Sequence, residues 1–186
     1  MKYTLRFAAA SACVAMAGCA TTLVSPVGFG NLPSGYTCCN LHYVGDWISD
    51  GNWHGVPMIP AGTPIKVTAY GSNRAYAEID GKSFRIGHDY GRDQESLDQY
   101  VARLVVKDDP RARVAEYPDE IREAIRRGLV IQGMTREQAI IAGGYPATHR
   151  TPVLAAGEWT YWTDRLTSYR VVWDGEGRIA AIAFGR

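Results

Sequence analysis

Alternating apolar and polar residues in the middle of the chain predict three short β-strands. Ile65, Val67 and Ala69 alternate with more polar neighbours, and similar segments run from 75 to 80 and from 83 to 88. A period of two residues is typical of strands that bury one face. Turn-forming residues separate the three segments, so we expect a compact antiparallel meander.

The spacing of apolar residues changes to that of a helix between residues 94 and 106. Asp93 can cap this helix, and Asp108-Asp109-Pro110 can end it. A second helix is predicted to begin near Pro118 and to end at Gly128. The first helix has one apolar face that should pack on the sheet. Its residues are Leu97, Tyr100, Val101, Leu104 and Val105.

A helix followed by a three-stranded sheet is predicted for the last third of the chain. Thr135 and Gln138 have the spacing of a capping box, and Gly143-Gly144 can end the helix that they open. Each later strand carries aromatic or aliphatic residues at every second position. These strands are predicted at 158–163, 168–173 and 178–184.

Together these elements predict an α+β protein of two modules. The first is a small β-rich domain with a helix at residues 38–111, and the second is a helix-plus-three-stranded antiparallel module at residues 112–186. Residues 20–37 carry no charge, contain three glycines and two prolines, and show no sustained period. We therefore expect residues 19–37 to be a tether ahead of the folded modules.

The N-terminus has the layout of a signal peptide. Lys2 and Arg6 precede an apolar run from residue 7 to residue 17, which is too short to span a bilayer as a stable helix. The run closes with small residues and then Cys19. We expect residues 1–18 to be removed and the mature chain to face the periplasm.

The residues Met16-Ala17-Gly18-Cys19 resemble the lipobox of bacterial lipoproteins, with Met16 in the place where leucine is commonest. The resemblance implies that Cys19 is acylated and becomes the new N-terminus. Because Ala20 rather than aspartate follows, it also implies sorting to the outer membrane. Several acyl chains together anchor a protein stably. The alternative is an ordinary cleaved signal followed by a cysteine that carries no lipid.

Net charge and composition restrict the classes of partner that we expect. Of the 186 residues, 168 remain after removal of the first 18, with 18 basic and 19 acidic side chains. A balance of −1 does not favour nucleic acid or a strongly charged substrate. The apolar fraction of 46% argues against disorder beyond the tether. The lipid is therefore the membrane attachment that we expect.

The chain has four cysteines, of which Cys13 lies in the predicted signal peptide and Cys19 is the expected lipidation site. The remaining two, Cys38 and Cys39, are adjacent. The oxidising periplasm favours a disulfide between them, although adjacent cysteines form a strained ring. Two alternatives stay open, which are a pair of reduced, buried thiols and intermolecular bridges in a dimer.

The spacing Cys38-Cys39-x2-His42-x11-His54 suggests a zinc site at first sight. It lacks the two-residue gap that lets both thiolates face one ion, and oxidation would remove both ligands. We therefore expect no metal and no other cofactor.

The sequence contains none of the common nucleophile-elbow, phosphate-loop or zinc-protease motifs. A cysteine nucleophile with His42 as its base is conceivable, but such a nucleophile needs a fixed histidine and an orienting group. His88 and His149 lie among polar residues and are expected at the surface or in hydrogen bonds. We expect a protein that is not an enzyme.

The last 60 residues or so contain a series of short motifs. They are Gly133-Met134-Thr135, Glu137-Gln138, Gly144-Tyr145-Pro146, Trp159-Thr160-Tyr161, Val171-Val172 and Arg178-Ile179. In this order the motifs resemble the SmpA/OmlA family, which includes the small lipoprotein subunit of the outer-membrane β-barrel assembly machinery. The resemblance implies a helix-and-sheet binding module. This chain departs from the family by an additional domain of roughly 100 residues and by its doubled Gly143-Gly144.

The segment from Pro60 to Val67 resembles the first strand of bacterial SH3-like domains. This resemblance implies a module that binds peptide or cell wall, whereas a plain antiparallel sheet is the alternative. The leading hypothesis is a non-enzymatic scaffold that binds another envelope protein, either outer-membrane or periplasmic. The second hypothesis is a peptidoglycan-binding lipoprotein that acts through the SH3-like part.

Trp162 and Arg170 are the candidate partner-binding residues. Both lie at positions of their strands where a solvated sheet face would usually be polar. Exposed tryptophan and arginine are enriched at binding hot spots. The alternative is that Trp162 is covered by the other module or by the loop from Ala147 to Gly157.

Overall fold

A computed structural model describes residues 31–185. It contains an eight-stranded mixed sheet, a separate three-stranded antiparallel sheet and four helices. This arrangement confirms the predicted α+β class with a β-rich N-terminal part. The predicted signal peptide, the lipidation site Cys19 and the tether up to residue 30 lie outside the described residues.

The first sheet has the strand order β4-β2-β3-β7-β6-β5-β1-β8. Its central strands β5, β6 and β7 form the predicted antiparallel meander, and β3 adds to β7 in parallel. The strands are β1 (Ser34–Thr37), β2 (Leu41–Val44), β3 (Trp47–Ser49), β4 (Met58–Ile59), β5 (Pro64–Tyr70), β6 (Arg74–Ile79), β7 (Lys82–Gly87) and β8 (Val105–Val106).

Strand β1 corrects the predicted extent of the tether, because residues 34–37 belong to the sheet. They pair with β5 on one side and with β8 on the other. Gly35 permits this position, since a Cβ atom there would lie 2.1 Å from the carbonyl oxygen of Val106. The uncharged segment is thus held by backbone pairing on both sides, which its weak period did not indicate.

The helices are close to prediction, with three corrections. The first helix is capped by Ser96 rather than Asp93, and Gln99 completes a capping box. It ends at Leu104, because the two β-branched residues that follow pair with β1. A short helix at Pro110–Val114, ahead of the predicted helix that begins after Pro118, was not predicted. The four helices are α1 (Leu97–Leu104), α2 (Pro110–Val114), α3 (Asp119–Arg126) and α4 (Arg136–Gly143).

The second sheet follows the prediction most closely and has the order β11-β10-β9. Thr135 and Gln138 form the predicted capping box of α4. Trp159, Tyr161 and Val171 are almost fully buried on the sheet face toward the helices. The strands are β9 (Glu158–Trp162), β10 (Ser168–Trp173) and β11 (Ile179–Phe184).

Asn40 links the two modules through a buried side chain. Its Nδ2 donates to the carbonyl oxygens of Ile125 (2.7 Å) and Ala142 (2.8 Å), at the ends of α3 and α4. Its Oδ1 accepts from the backbone N–H of Ala61 (2.9 Å). The backbone N–H of Asn40 also donates to Ile141. One residue between β1 and β2 therefore satisfies polar groups that would otherwise be buried without partners.

We predict that Asn40→Ala lowers the free energy of unfolding by about 3 kcal/mol, because two carbonyls and one N–H lose their partner in a buried place. Chemical denaturation of the chain without its lipid measures this change. The control Gln94→Ala alters an exposed amide and should change stability by less than about 0.5 kcal/mol. A loss below about 1 kcal/mol for Asn40→Ala would mean that the modules do not depend on this side chain.

Candidate binding cleft between the two modules

The segment from Asp50 to His54 lies between the modules, and its side chains form hydrogen bonds with both of them. Asp50 is buried, and its carboxylate accepts the backbone N–H groups of Asp89 (3.1 Å), Tyr90 (2.9 Å) and Gly91 (2.9 Å). These three bonds hold the loop after β7. The ring of Tyr90 is thereby placed at the boundary between the modules.

Asn52 connects the same segment to the end of α4. Its φ angle of 47° lies in the left-handed region, which asparagine tolerates better than most residues. Its Nδ2 donates to the carbonyl oxygens of Gly143 (2.6 Å) and Tyr145 (2.9 Å). Its Oδ1 must then accept from His42 Nδ1, 3.1 Å away, so the network assigns the proton to that nitrogen.

Both ring nitrogens of His54 are engaged inside the protein. Nε2 donates to the carbonyl of Gly143 (2.7 Å), so Nδ1 accepts from the hydroxyl of Tyr169 (2.8 Å). The ring also stacks on His42 at 4.7 Å. Burial, together with the charge that His42 would carry, lowers the pKa of His54 to about 3, although the bond to Gly143 acts in the opposite direction. The imidazole is therefore neutral at neutral pH.

Cys38, Cys39, His42 and His54 do not form a common ligand set. The two sulfur atoms are bonded to each other within the chain, and Cys39 has no exposed surface. The histidine nitrogens described above face Asn52, Gly143 and Tyr169. Across residues 31–185, no group of three or more histidine, cysteine or acidic side chains is arranged to hold a metal ion.

The side chain of Trp53 lines a cleft of about 200 Å³, to which both modules contribute residues. Its neighbours in sequence bond to β9 and the turn after it, through His54 N–H to the carbonyl of Trp162 (2.8 Å) and Gly55 N–H to that of Thr163 (2.7 Å). This short parallel bridge fixes the distance between the two tryptophans. The cleft is lined by Gly51, Trp53, Tyr90, His149, Arg150, Trp162 and Arg165.

Four rings follow one another around the cleft. The ring of Trp162 stacks with His149 at 6.4 Å, and His149 stacks with Tyr90 at 5.4 Å. Tyr90 meets Trp53 edge to face at 6.5 Å. Stacked and edge-to-face pairs at these separations stabilise one another, so the walls are held in place.

The loop that carries His149 and Arg150 is tied to the first module. Thr148 is buried and donates to Glu95 (2.6 Å), and Arg103 of α1 contacts both of these residues. The pair of Arg103 and Glu95 is partly shielded from solvent, which limits screening of their interaction. Movement of this wall of the cleft would therefore break a charged network.

The rim of the cleft is cationic. Arg150 and Arg165 are exposed, and within residues 31–185 neither makes an ion pair. The guanidinium of Arg165 lies over the ring of Trp53 at 5.1 Å. Burial and the charge of Arg150 lower the pKa of His149, so the two arginines carry the charge at neutral pH. Among the described residues, none of those that line the cleft is acidic.

Trp162 and Arg170, the residues singled out from the sequence, have different surroundings. They lie on the same face of the sheet, as the pairing of Ser168 with Trp162 and of Arg170 with Thr160 requires. Trp162 is half-buried, stacks with His149 of the loop from Ala147 to Gly157 and lies beside Trp53 of the other module. Arg170 pairs with Glu158 (3.1 Å) and does not line the cleft. Their role in binding stays a prediction, and the geometry adds Arg150 and Arg165 as neighbours of Trp162.

A second cleft, of about 480 Å³, lies between β8, α2 and α4. It is larger, but its two arginines are already engaged. Arg113 pairs with Glu137 across it, and Arg136 donates to the carbonyl of Ala156 while covering the ring of Trp173. Its remaining charged residues, Lys107 and Asp108, are exposed neighbours of opposite charge. The smaller cleft is the better candidate, because its arginines lack an acidic partner in the described part of the chain and lie among aromatic rings.

Sequence analysis missed Trp53, Tyr90, Arg150 and Arg165 as members of one site. They come from four separate connecting segments, and no spacing in the sequence connects them. The one available signal was the concentration of chemically specific residues in Asp50-Gly51-Asn52-Trp53-His54.

Comparisons of this chain with protein-family models, with curated proteins and with solved structures found no match. None of the helices in the described part of the chain has the length and apolar character needed to cross a membrane. The function is therefore argued from the cleft itself and from the sequence.

We predict that stability falls on acidification because of His54. The pKa of His54 is depressed in the folded chain. Below about pH 6.5 its imidazole therefore binds a proton in the unfolded chain but stays neutral in the folded chain. Between about pH 7.5 and 5 this costs roughly 2 kcal/mol. When the denaturation midpoint is plotted against pH, the slope for His54→Gln should be at most about half of that for the unaltered chain. An unchanged slope in that variant would contradict the assignment.

Proposed function

We propose that this chain is a non-enzymatic lipoprotein of the outer membrane that faces the periplasm and binds another envelope protein. The binding surface is the cleft formed by Trp53, Tyr90, Trp162 and the two arginines of its rim. The observation that carries the proposal is the presence of aromatic rings and unpaired arginines in one cleft. Tryptophan, tyrosine and arginine contribute most of the binding energy at protein interfaces.

The position of the cleft supports a binding role. Its walls come from both modules and are held by the carboxylate of Asp50, by the bridge from Trp53 to Trp162 and by Thr148. A preformed surface loses less conformational entropy on binding than one that must be ordered. A rigid cleft therefore suits recognition of a partner.

The sequence before the folded part supports the location. The apolar run that ends in Cys19 carries the features of a lipoprotein signal, and Ala20 favours the outer membrane. The resemblance of the last 60 residues or so to the SmpA/OmlA family adds a partner class, which is the proteins that assemble the outer membrane. Membership of that machinery is one form of the proposal, and a separate envelope scaffold is the other.

The surroundings of His54 and His88 do not suit either side chain to act as a general base. Both nitrogens of His54 are bonded internally. His88 donates from Nε2 to the carbonyl of Glu95 (2.8 Å), and its Nδ1 lies 3.1 Å from Asp50 Oδ2 without hydrogen-bond alignment. A general base needs a nitrogen within reach of the substrate. These two imidazoles face inward instead.

We expect a photo-crosslinking phenylalanine derivative in place of Tyr90 to capture a specific envelope protein in intact cells. The matched control places it at Tyr76, which is exposed to a similar degree (41% against 44%) but does not line the cleft. Mass spectrometry of the adducts identifies the partner. Equal adducts from both positions would contradict a specific surface, and muropeptide adducts would favour the cell-wall hypothesis.

Lipidation of Cys19 generates a separate prediction. Cys19→Ser should release the protein from the membrane fraction, because several acyl chains supply the stable attachment. Fractionation followed by a high-salt wash measures the release. Retention of the variant in the washed membranes would overturn the lipid-anchor proposal without affecting the cleft.

A further inference from the structure

The charges of the cleft point to an anionic ligand. Arg150 and Arg165 are both exposed at its rim without an ion pair in the described part of the chain. Asp164, the acidic neighbour of Arg165, accepts the backbone N–H groups of Leu166 (2.7 Å) and Thr167 (2.8 Å). Asp50 is buried behind its own backbone bonds. Both guanidinium groups are thus available for a carboxylate, which they match geometrically.

The two arginines beside the aromatic rings argue against a cationic ligand. Aromatic cages of this kind commonly bind ammonium groups. Here, however, Arg165 already lies over Trp53, and Arg150 adds a second positive charge to the rim. A cationic ligand would meet repulsion from both. The free faces of the rings suit a flat, uncharged group beside the anion.

The size of the cleft limits what enters it. Its volume of about 200 Å³ is below the range of roughly 300 to 1,000 Å³ for sites that enclose a whole small molecule. It therefore takes one side chain of a longer ligand. Two buried nitrogens in its walls, Trp162 Nε1 and His149 Nδ1, also have no hydrogen-bond partner within the described residues. Such unsatisfied groups are costly and often mark a functional place.

We propose that the cleft binds a peptide segment of a protein partner in which a carboxylate side chain lies next to an aromatic one. The aromatic ring enters between Trp53, Tyr90 and Trp162, and the carboxylate pairs with Arg150 and Arg165. This inference rests on the proposed function, since it specifies the partner chemistry of the same cleft. It assigns the charged contacts of this cleft to Arg150 and Arg165, and Arg170 lies outside the cleft.

Titration with a blocked pentapeptide, acetyl-Gly-Asp-Phe-Glu-Gly-amide, tests the inference on the Cys19→Ser chain. The indole N–H signals of Trp53 and Trp162 in NMR spectra should shift at concentrations up to about 5 mM, while that of Trp47 stays in place. Replacing both acids of the peptide by amides, or its Phe by Ala, should weaken binding about tenfold or more. Arg150→Gln and Arg165→Gln should each weaken it about tenfold, whereas Arg170→Gln should change it by less than about twofold.

Three results would overturn the inference. They are no indole shift with the acidic peptide, equal binding of the amide peptide, and tighter binding of a muramyl dipeptide than of the acidic peptide. The crosslink from the position of Tyr90 separates this failure from failure of the proposed function. If the partner is still captured by the variant that carries both Arg150→Gln and Arg165→Gln, the cleft binds a protein but not through a carboxylate. If no partner is captured by the unaltered chain, the proposed function itself fails.

Discussion

The hydrogen bonds of the segment from Asp50 to His54 are the constraint on which the rest of the molecule depends. Asp50 binds the loop of the first module, and Asn52 and His54 bind carbonyl groups at the end of α4. Asp50 and Gly143 are buried, so loss of these bonds would leave buried polar groups without partners, at a cost of about 1 to 3 kcal/mol for each group. The two sheets are thus joined by specific polar contacts in addition to apolar packing.

The polar contacts between the two sheets are made by the neighbours of Trp53, and the Trp53 side chain itself is not part of a hydrophobic core. Its neighbours on both sides carry the structural bonds, so its own ring is left at the boundary surface with Tyr90 and Trp162. Large aromatic rings are usually placed where they bury most area. Here Tyr90 is 44% exposed, and Trp53 and Trp162 are half-buried.

Local patterns predicted the parts of the fold that local forces determine. The capping box of Thr135, the meander and the three aromatic strands all follow from spacing along the chain. Strands β1 and β8 did not, since Val105 continues the helical period of α1 but pairs with β1 instead. Of the cleft, parity along β9 indicated Trp162 alone. Arg150 and Tyr90 reach it through long-range contacts of Thr148 and Asp50 that no single stretch records.

Construction of the cleft from both modules has a thermodynamic consequence. A ligand that touches Trp53 and Trp162 together binds the docked arrangement in preference to any separated one, so it adds its binding free energy to the association of the two halves. By reciprocity, whatever strengthens docking must raise affinity by the same factor. Occupancy of the cleft would therefore raise the free energy needed to separate the two halves.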